Sequence, residues 1–150
     1  MPEITGLPPL DLLSTAREQL AARFDSTFGG FSAAPKASEP VAIERLLRSY
    51  ARSERSGKPD REALHMACQT LRRMALGGIY DQIGGGFGRY AVDREWMMPH
   101  FEKSLIDNAL LIRVATDAHR ATGDKLFRRI ARETSEWALA ELQDEHGGFV

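Results

Sequence analysis

Apolar positions recur at helical spacing in five stretches of the chain. Leu13, Ala16, Leu20 and Phe24 share a stripe and predict a helix over residues 10–24. Ile43, Leu46, Leu47 and Tyr50 predict a second over 39–56, with Pro40 suited to its first turn. Leu64, Ala67, Cys68, Leu71 and Ala75 predict a third over 61–76, with Asp60 as N-cap and Gly77-Gly78 as its stop. A fourth is expected from Pro99 to about residue 121. It is apolar around most of its circumference (Leu105, Ile106, Ala109, Leu110, Leu111, Ile112, Val114), the pattern of a buried helix. Leu126, Phe127, Ile130, Thr134, Trp137 and Ala138 mark the fifth, over 125–143. No stretch alternates clearly enough to predict a strand. Residues 1–9, with three prolines, read as a linker.

Between the helices a motif repeats. Asp25-Ser26-Thr27-Phe28-Gly29-Gly30-Phe31 resembles Asp81-Gln82-Ile83-Gly84-Gly85-Gly86-Phe87, and both resemble Asp144-Glu145-His146-Gly147-Gly148-Phe149. The phenylalanines are 56 and then 62 residues apart, and each interval holds two helices. The unit is therefore a helical hairpin. All three glycine loops are expected at one end of the stack, with the short turns at 56–60 and 122–124 at the other. This predicts an all-α fold, the helical hairpins of an (α/α) toroid. Five helices do not close a ring, so the expectation is an incomplete ring, part of a longer protein, with apolar faces that favour self-association.

The second glycine loop concentrates the chemistry. Residues 77–90 hold six of the thirteen glycines, followed by Asp93, Trp96, His100 and Glu102. Histidine titrates nearest neutral pH, so His100 is a candidate acid or base. Glu102 falls where a helix start would favour a carboxylate, and the same dipole would disfavour a protonated His100. Asp81 and Asp93 are candidates for a carboxylate pair, with loop organisation as their alternative. Tyr80, Tyr90 and Trp96 are candidates to stack on a ligand ring, with core or rim packing as their alternative, and Phe87, Gln82 and Arg89 are further candidates for the ligand site. Asp107 and Asn108, in an apolar helix, are expected to tie it to a glycine loop.

Charge and composition exclude other classes. The net charge of −1, from 20 basic and 21 acidic residues, gives no footprint for nucleic acid or an anionic membrane. Cys68 is the only cysteine, which rules out an internal disulfide and a cysteine-rich zinc site; no metal or cofactor is expected. Its place on an apolar stripe gives it a packing role. No Gly-Lys-Ser/Thr sequence exists for a P-loop, and Gly84–Gly88 lacks the preceding strand of a dinucleotide fingerprint. A cytoplasmic location is the expectation.

The run Gly77-Gly78-Ile79-Tyr80-Asp81-Gln82-Ile83-Gly84-Gly85-Gly86-Phe87, with Arg89-Tyr90, Asp93, Trp96, Pro99-His100-Phe101-Glu102-Lys103 and Asp107-Asn108-Ala109, resembles the signature of the YyaL-like family. Phe28-Gly29-Gly30-Phe31 and Ala34-Pro35-Lys36 resemble its upstream motif. The resemblance implies a thioredoxin-like domain in cis, followed by an α/α barrel similar to those of N-acylglucosamine 2-epimerases and six-hairpin glycosidases. It implies a carbohydrate-like ligand and an epimerase- or glycosidase-type reaction, or else a non-catalytic binding module. Three departures stand out: Gly88 where the family often has histidine, Ser104 for methionine, and Ala37-Ser38 for an aromatic-proline pair.

Overall fold

A computed structural model describes residues 11–149. The linker read over residues 1–9 lies outside them. Five helices dominate: α1 (Asp11–Arg23), α2 (Pro40–Arg55), α3 (Arg61–Leu76), α4 (Leu105–Thr122) and α5 (Lys125–Glu141). Two short strands, β1 (Lys36–Ala37) and β2 (Tyr90–Ala91), pair antiparallel with Lys36 opposite Ala91.

Local chemistry explains most boundaries. The Asp60 carboxylate accepts from the Ala63 amide and starts α3, and the Asp124 carboxylate accepts from Leu126 and starts α5. Gly123, at φ 73°, ends α4 in the left-handed region. The core lies where the hairpins face one another. Leu46, Leu71, Met74, Leu111, Val114, Phe127 and Ile130 are all at most 1% exposed.

Two expectations need correction. Helix α4 begins at Leu105, not Pro99, with Ser104 as its N-cap. Pro99–Glu102 is extended because its backbone pairs with the segment after the second loop. Helix α4 is also not buried all round. Asn108, Leu111, Val114, Ala115 and Ala118 face the core, but Ile106 is 72% exposed. Leu105, Ala109 and Ile112 join Leu139 and Phe149 around an open apolar groove of 440 Å³.

The repeat holds at the level of atoms. The Asp25 amide donates to the Gly30 carbonyl at 3.0 Å, the Asp81 amide to Gly86 at 2.9 Å, and the Asp144 amide to Gly148 at 2.8 Å. In each loop the aspartate Oδ1 also accepts two downstream amides: Thr27 and Phe28, Ile83 and Gly84, His146 and Gly148. The acidic residue is thus the organiser of the turn. The turn that follows loop two reaches loop one, since the Trp96 indole donates to the Phe28 carbonyl at 2.8 Å. Phe149 of loop three packs near Leu105, at the loop end of α4. All three loops therefore share one end. The C-terminal parts of α2 and α4 meet at the other, where Glu54 and Arg120 line one groove.

The first two loops each rest on a helix of the hairpin that follows. Gly29 lies against Thr70 of α3, whose hydroxyl accepts from the Gly30 amide at 2.9 Å. Gly85 and Gly86 lie against Glu133 and Trp137 of α5. Gly147 has the same positive φ but open space around it.

Candidate functional site

The second loop builds the site. From Arg89 the chain runs out along β2, turns through residues 93–97 and returns as an extended segment. The Val92 amide donates to the Met98 carbonyl at 2.8 Å, His100 to Tyr90 at 2.9 Å and Arg89 to Glu102 at 2.9 Å. This ribbon, missed because neither half alternates by itself, sets His100 directly beside Tyr90. The rings stack with centroids 4.8 Å apart and an interplanar angle of 17°.

The candidate residues divide into two groups. Tyr80, Phe87 and Trp96 are buried, at 2%, 1% and 0% exposure; for Tyr80 and Trp96 this is the packing role that was their alternative reading, and Phe87 packs with them. Burial, then its hydrogen bond to Glu133, raises the Tyr80 phenol above its ordinary range. Gln82 donates to the Ala75 carbonyl at 2.9 Å and closes the end of α3. Asp93 accepts the amides of Glu95, Met97 and Met98, and these outweigh burial to hold its carboxyl low. Asp81 is held at about 2 by Lys103, then by the Gly84 and Ile83 amides. Both carboxylates thus organise turns.

The second group is accessible. His100 is 44% exposed, with Nδ1 3.9 Å from Glu102 Oε2. Glu102 pairs with Arg89 at 3.4 Å. Because Pro99–Glu102 is extended, neither His100 nor Glu102 feels a helix N-terminus, and the dipole argument for both lapses. Gly78–Ile83, Gly88, Pro99–Phe101 and Lys103 line a groove of 570 Å³. A second groove, of 600 Å³, shares Asp81–Ile83 and Lys103 with it and continues to Glu133, Glu136 and Trp137.

Three supports went unread in the sequence. Lys36 is fully buried, donates to Asp25 at 2.8 Å and to the Arg94 carbonyl at 3.1 Å, and lies 5.2 Å from the Trp96 ring centroid. Lys103 repeats this in the second loop, 2.8 Å from Asp81 and 4.9 Å from the Trp137 ring. Thr70 seats the first loop. The shared Asp…Lys order was the only available signal.

Asn108 does tie α4 to the loop. Its amide accepts from the Phe87 amide at 2.7 Å and donates to the Phe87 carbonyl at 3.0 Å and the Ser104 carbonyl at 2.9 Å. Asn108→Ala should lower stability by about 1–3 kcal/mol for each buried backbone group it strands. Chemical denaturation measures the loss, and amide exchange at Phe87 locates it.

Among the described residues no three His, Cys, Asp or Glu side chains converge as metal ligands, and no helix is long and apolar enough to cross a membrane. Burial pushes the Cys68 thiol up to about 11, consistent with packing.

No family model matches the chain. It is 40% identical over 145 residues to spermatogenesis-associated protein 20 of Rattus norvegicus, covering 95% of this chain and 18% of that protein. The Homo sapiens protein of the same name is 39% identical over 132 residues, covering 88% and 17%. The chain is a YyaL-like relative of these proteins. It spans less than a fifth of their length and includes the glycine-loop motifs that carry the resemblance. Among solved structures, cellobiose 2-epimerase from Spirochaeta thermophila superposes with a TM-score of 0.69 at 24% identity, over 93% of this chain and 38% of that one. This YyaL-like chain therefore shares the helical α/α-barrel fold of that structure over part of its length.

Proposed function

We propose that the loop end of this chain forms part of a sugar-binding site in a larger α/α barrel, with epimerase-type proton transfer at His100. The observation that carries the proposal is the exposed imidazole, held by its stack on Tyr90 at the edge of the 570 Å³ groove. The epimerase named among the fold neighbours supports the substrate class. In such a reaction the carbon beside a carbonyl gives up its proton to a base and receives one on the opposite face. His100 is the acceptor in this reading, and Glu102 the charge that orients it. Asp81 and Asp93, held in turns, shape the loop. A cytoplasmic setting belongs to the same reading.

A second reading has its own observation. Ile83, Phe101, Met97 and Met98 are 100%, 88%, 58% and 58% exposed around the same loop. Such a patch suits a binding module, with a thioredoxin-like domain in cis as the partner.

One variant separates the readings. In the full-length protein, His100→Ala should leave the melting temperature within about 1 °C, as expected for an exposed side chain. It should abolish turnover of an aldose such as cellobiose, read by loss of solvent-deuterium exchange into the sugar. Unchanged exchange would remove His100 from the chemistry and favour the binding module.

A further inference from the structure

The first two glycine loops are locked by matching contacts that the third lacks. In loop one the Lys36 ammonium, 11 residues beyond Asp25, meets Asp25 Oδ2 at 2.8 Å and lies over the Trp96 ring. In loop two Lys103, 22 residues beyond Asp81, meets Asp81 Oδ2 at 2.8 Å and lies over Trp137. Each lysine stands just before the helix that opens the next hairpin, α2 at Pro40 and α4 at Leu105. Phe31 and Phe87 are each 1% exposed, and Gly29 and Gly86 lie against Thr70 of α3 and Trp137 of α5. Loop three makes the same turn, with Asp144 Oδ1 accepting the His146 and Gly148 amides. Its Oδ2, however, has no hydrogen-bond or ion-pair partner among the described residues. Phe149 is 47% exposed, and nothing lies within 4 Å of a Cβ at Gly147.

Beside loop three runs the apolar groove between α4 and α5, lined by Leu105, Ala109, Ile112, Leu139 and Phe149. One hairpin earlier the equivalent faces are closed, with α4 packed on α2 and α5 on α3. We propose that loop three and this groove dock a third helical hairpin of the longer protein, entered by a lysine whose ammonium binds Asp144 Oδ2. This chain states both halves of that partner's chemistry. The groove requires an apolar helix face, and the unpaired carboxylate requires a cation where two earlier repeats place one. Glu145 adds negative charge beside it, and His146 lies 3.8 Å from Glu145, forming no pair with Asp144. A second copy has no such surface to offer, because Thr70 and Trp137 carry its own first two loops. The relatives have the length to supply a further hairpin, since this chain spans less than a fifth of them. The docking does not depend on the sugar reading.

The test is carbodiimide coupling in the full-length protein, which joins a carboxylate to an amine in direct contact, mapped by mass spectrometry. Asp144 should couple to one lysine C-terminal to it and outside residues 1–150, and Asp144→Asn should lose that product. Coupling of Asp81 to Lys103, both partly exposed, is the internal standard. Asp144 coupled to Lys58 or Lys125 of a second copy, or to a thioredoxin-like domain, overturns the proposal. So does coupling at Asp81 with none at Asp144. Thermal melts of the same protein give an independent measure. Asp144→Asn keeps the oxygen that accepts the two amides, so the turn survives and only the counter-charge is lost. It should lower the melting temperature about as much as Asp81→Asn. Glu145→Gln, at a side chain 88% exposed, should leave it within about 1 °C. Equally small effects of Asp144→Asn and Glu145→Gln overturn the proposal even where no coupled product forms.

Discussion

Asp25→Asn should lower the unfolding free energy by about 3–5 kcal/mol, the range for removing one partner of a buried ion pair. Lys36 is fully buried and Asp25 is 9% exposed, so the lysine cannot turn to water when its partner loses charge. Asparagine keeps the side-chain oxygen that accepts Thr27 and Phe28, so the turn itself survives. What goes is the counter-charge to Lys36 and to Arg94, which donates to the same carboxylate at 2.8 Å. Adding Lys36→Met to Asp25→Asn should recover much of the loss, since a neutral pair removes the stranded ammonium. Denaturant unfolding of the two single variants and the double variant measures this directly. A loss below about 1 kcal/mol for Asp25→Asn, the worth of an ordinary surface pair, would show that the pair is solvated.

The same carboxylate sets an acid limb. Burial acts to raise the Asp25 carboxyl, but Arg94, Lys36 and the Phe28 and Thr27 amides outweigh it and hold it far below the ordinary range. Asp81 and Asp60 lie at about 2 for related reasons. Each folded value is below the unfolded value of about 3.9. The stabilisation is therefore fully present above about pH 4 and is lost as pH falls through the folded values. In Asp25→Asn the decline of stability between pH 4 and 2 should be shallower than in the parent.

Gly85→Ala should lower stability by about 2–5 kcal/mol, combining a left-handed non-glycine residue with an overpacked contact. Gly85 has φ +79°, and a Cβ there would stand 2.5 Å from the Glu133 carbonyl oxygen. Gly147→Ala is the matched control. Gly147 has φ +85° but nothing within 4 Å, so only the backbone term of about 1–2 kcal/mol remains. Thermal and denaturant melts of the pair separate conformation from packing. Equal losses would mean that the seat of loop two on α5 contributes nothing.

Much of this architecture was legible. Helices α2, α3 and α5 followed from their stripes, and the loop organisation from three copies of an acid, paired glycines and a phenylalanine. The start of α4 was misread because Pro99 followed by polar residues imitates a helix entrance. What prevailed was pairing of His100 with Tyr90, a contact that no local window contains. Ser104, with Asp107 three residues on, was the better cap signal. The site was less legible for a related reason. Trp96 and Tyr80 look like ligand platforms in a glycine-rich segment, but their burial depends on Phe28 and Glu133, which lie far away in sequence. The Lys36 clamp is a lone lysine after Ala-Pro until Arg94 and Trp96 close around it.

Resting the first two loops on the hairpins that follow them gives the chain a direction of assembly. Synthesis delivers the N-terminal part first. Residues 25–31 leave the ribosome well before Thr70, on which Gly29 and Gly30 sit, and before Arg94 and Trp96, which close over them. The second loop waits in the same way for Glu133 and Trp137. Loop one is closed only after loop two has been made, when Arg94 and Trp96 follow it out. The contacts that close the two loops are therefore completed in the order in which the chain is made.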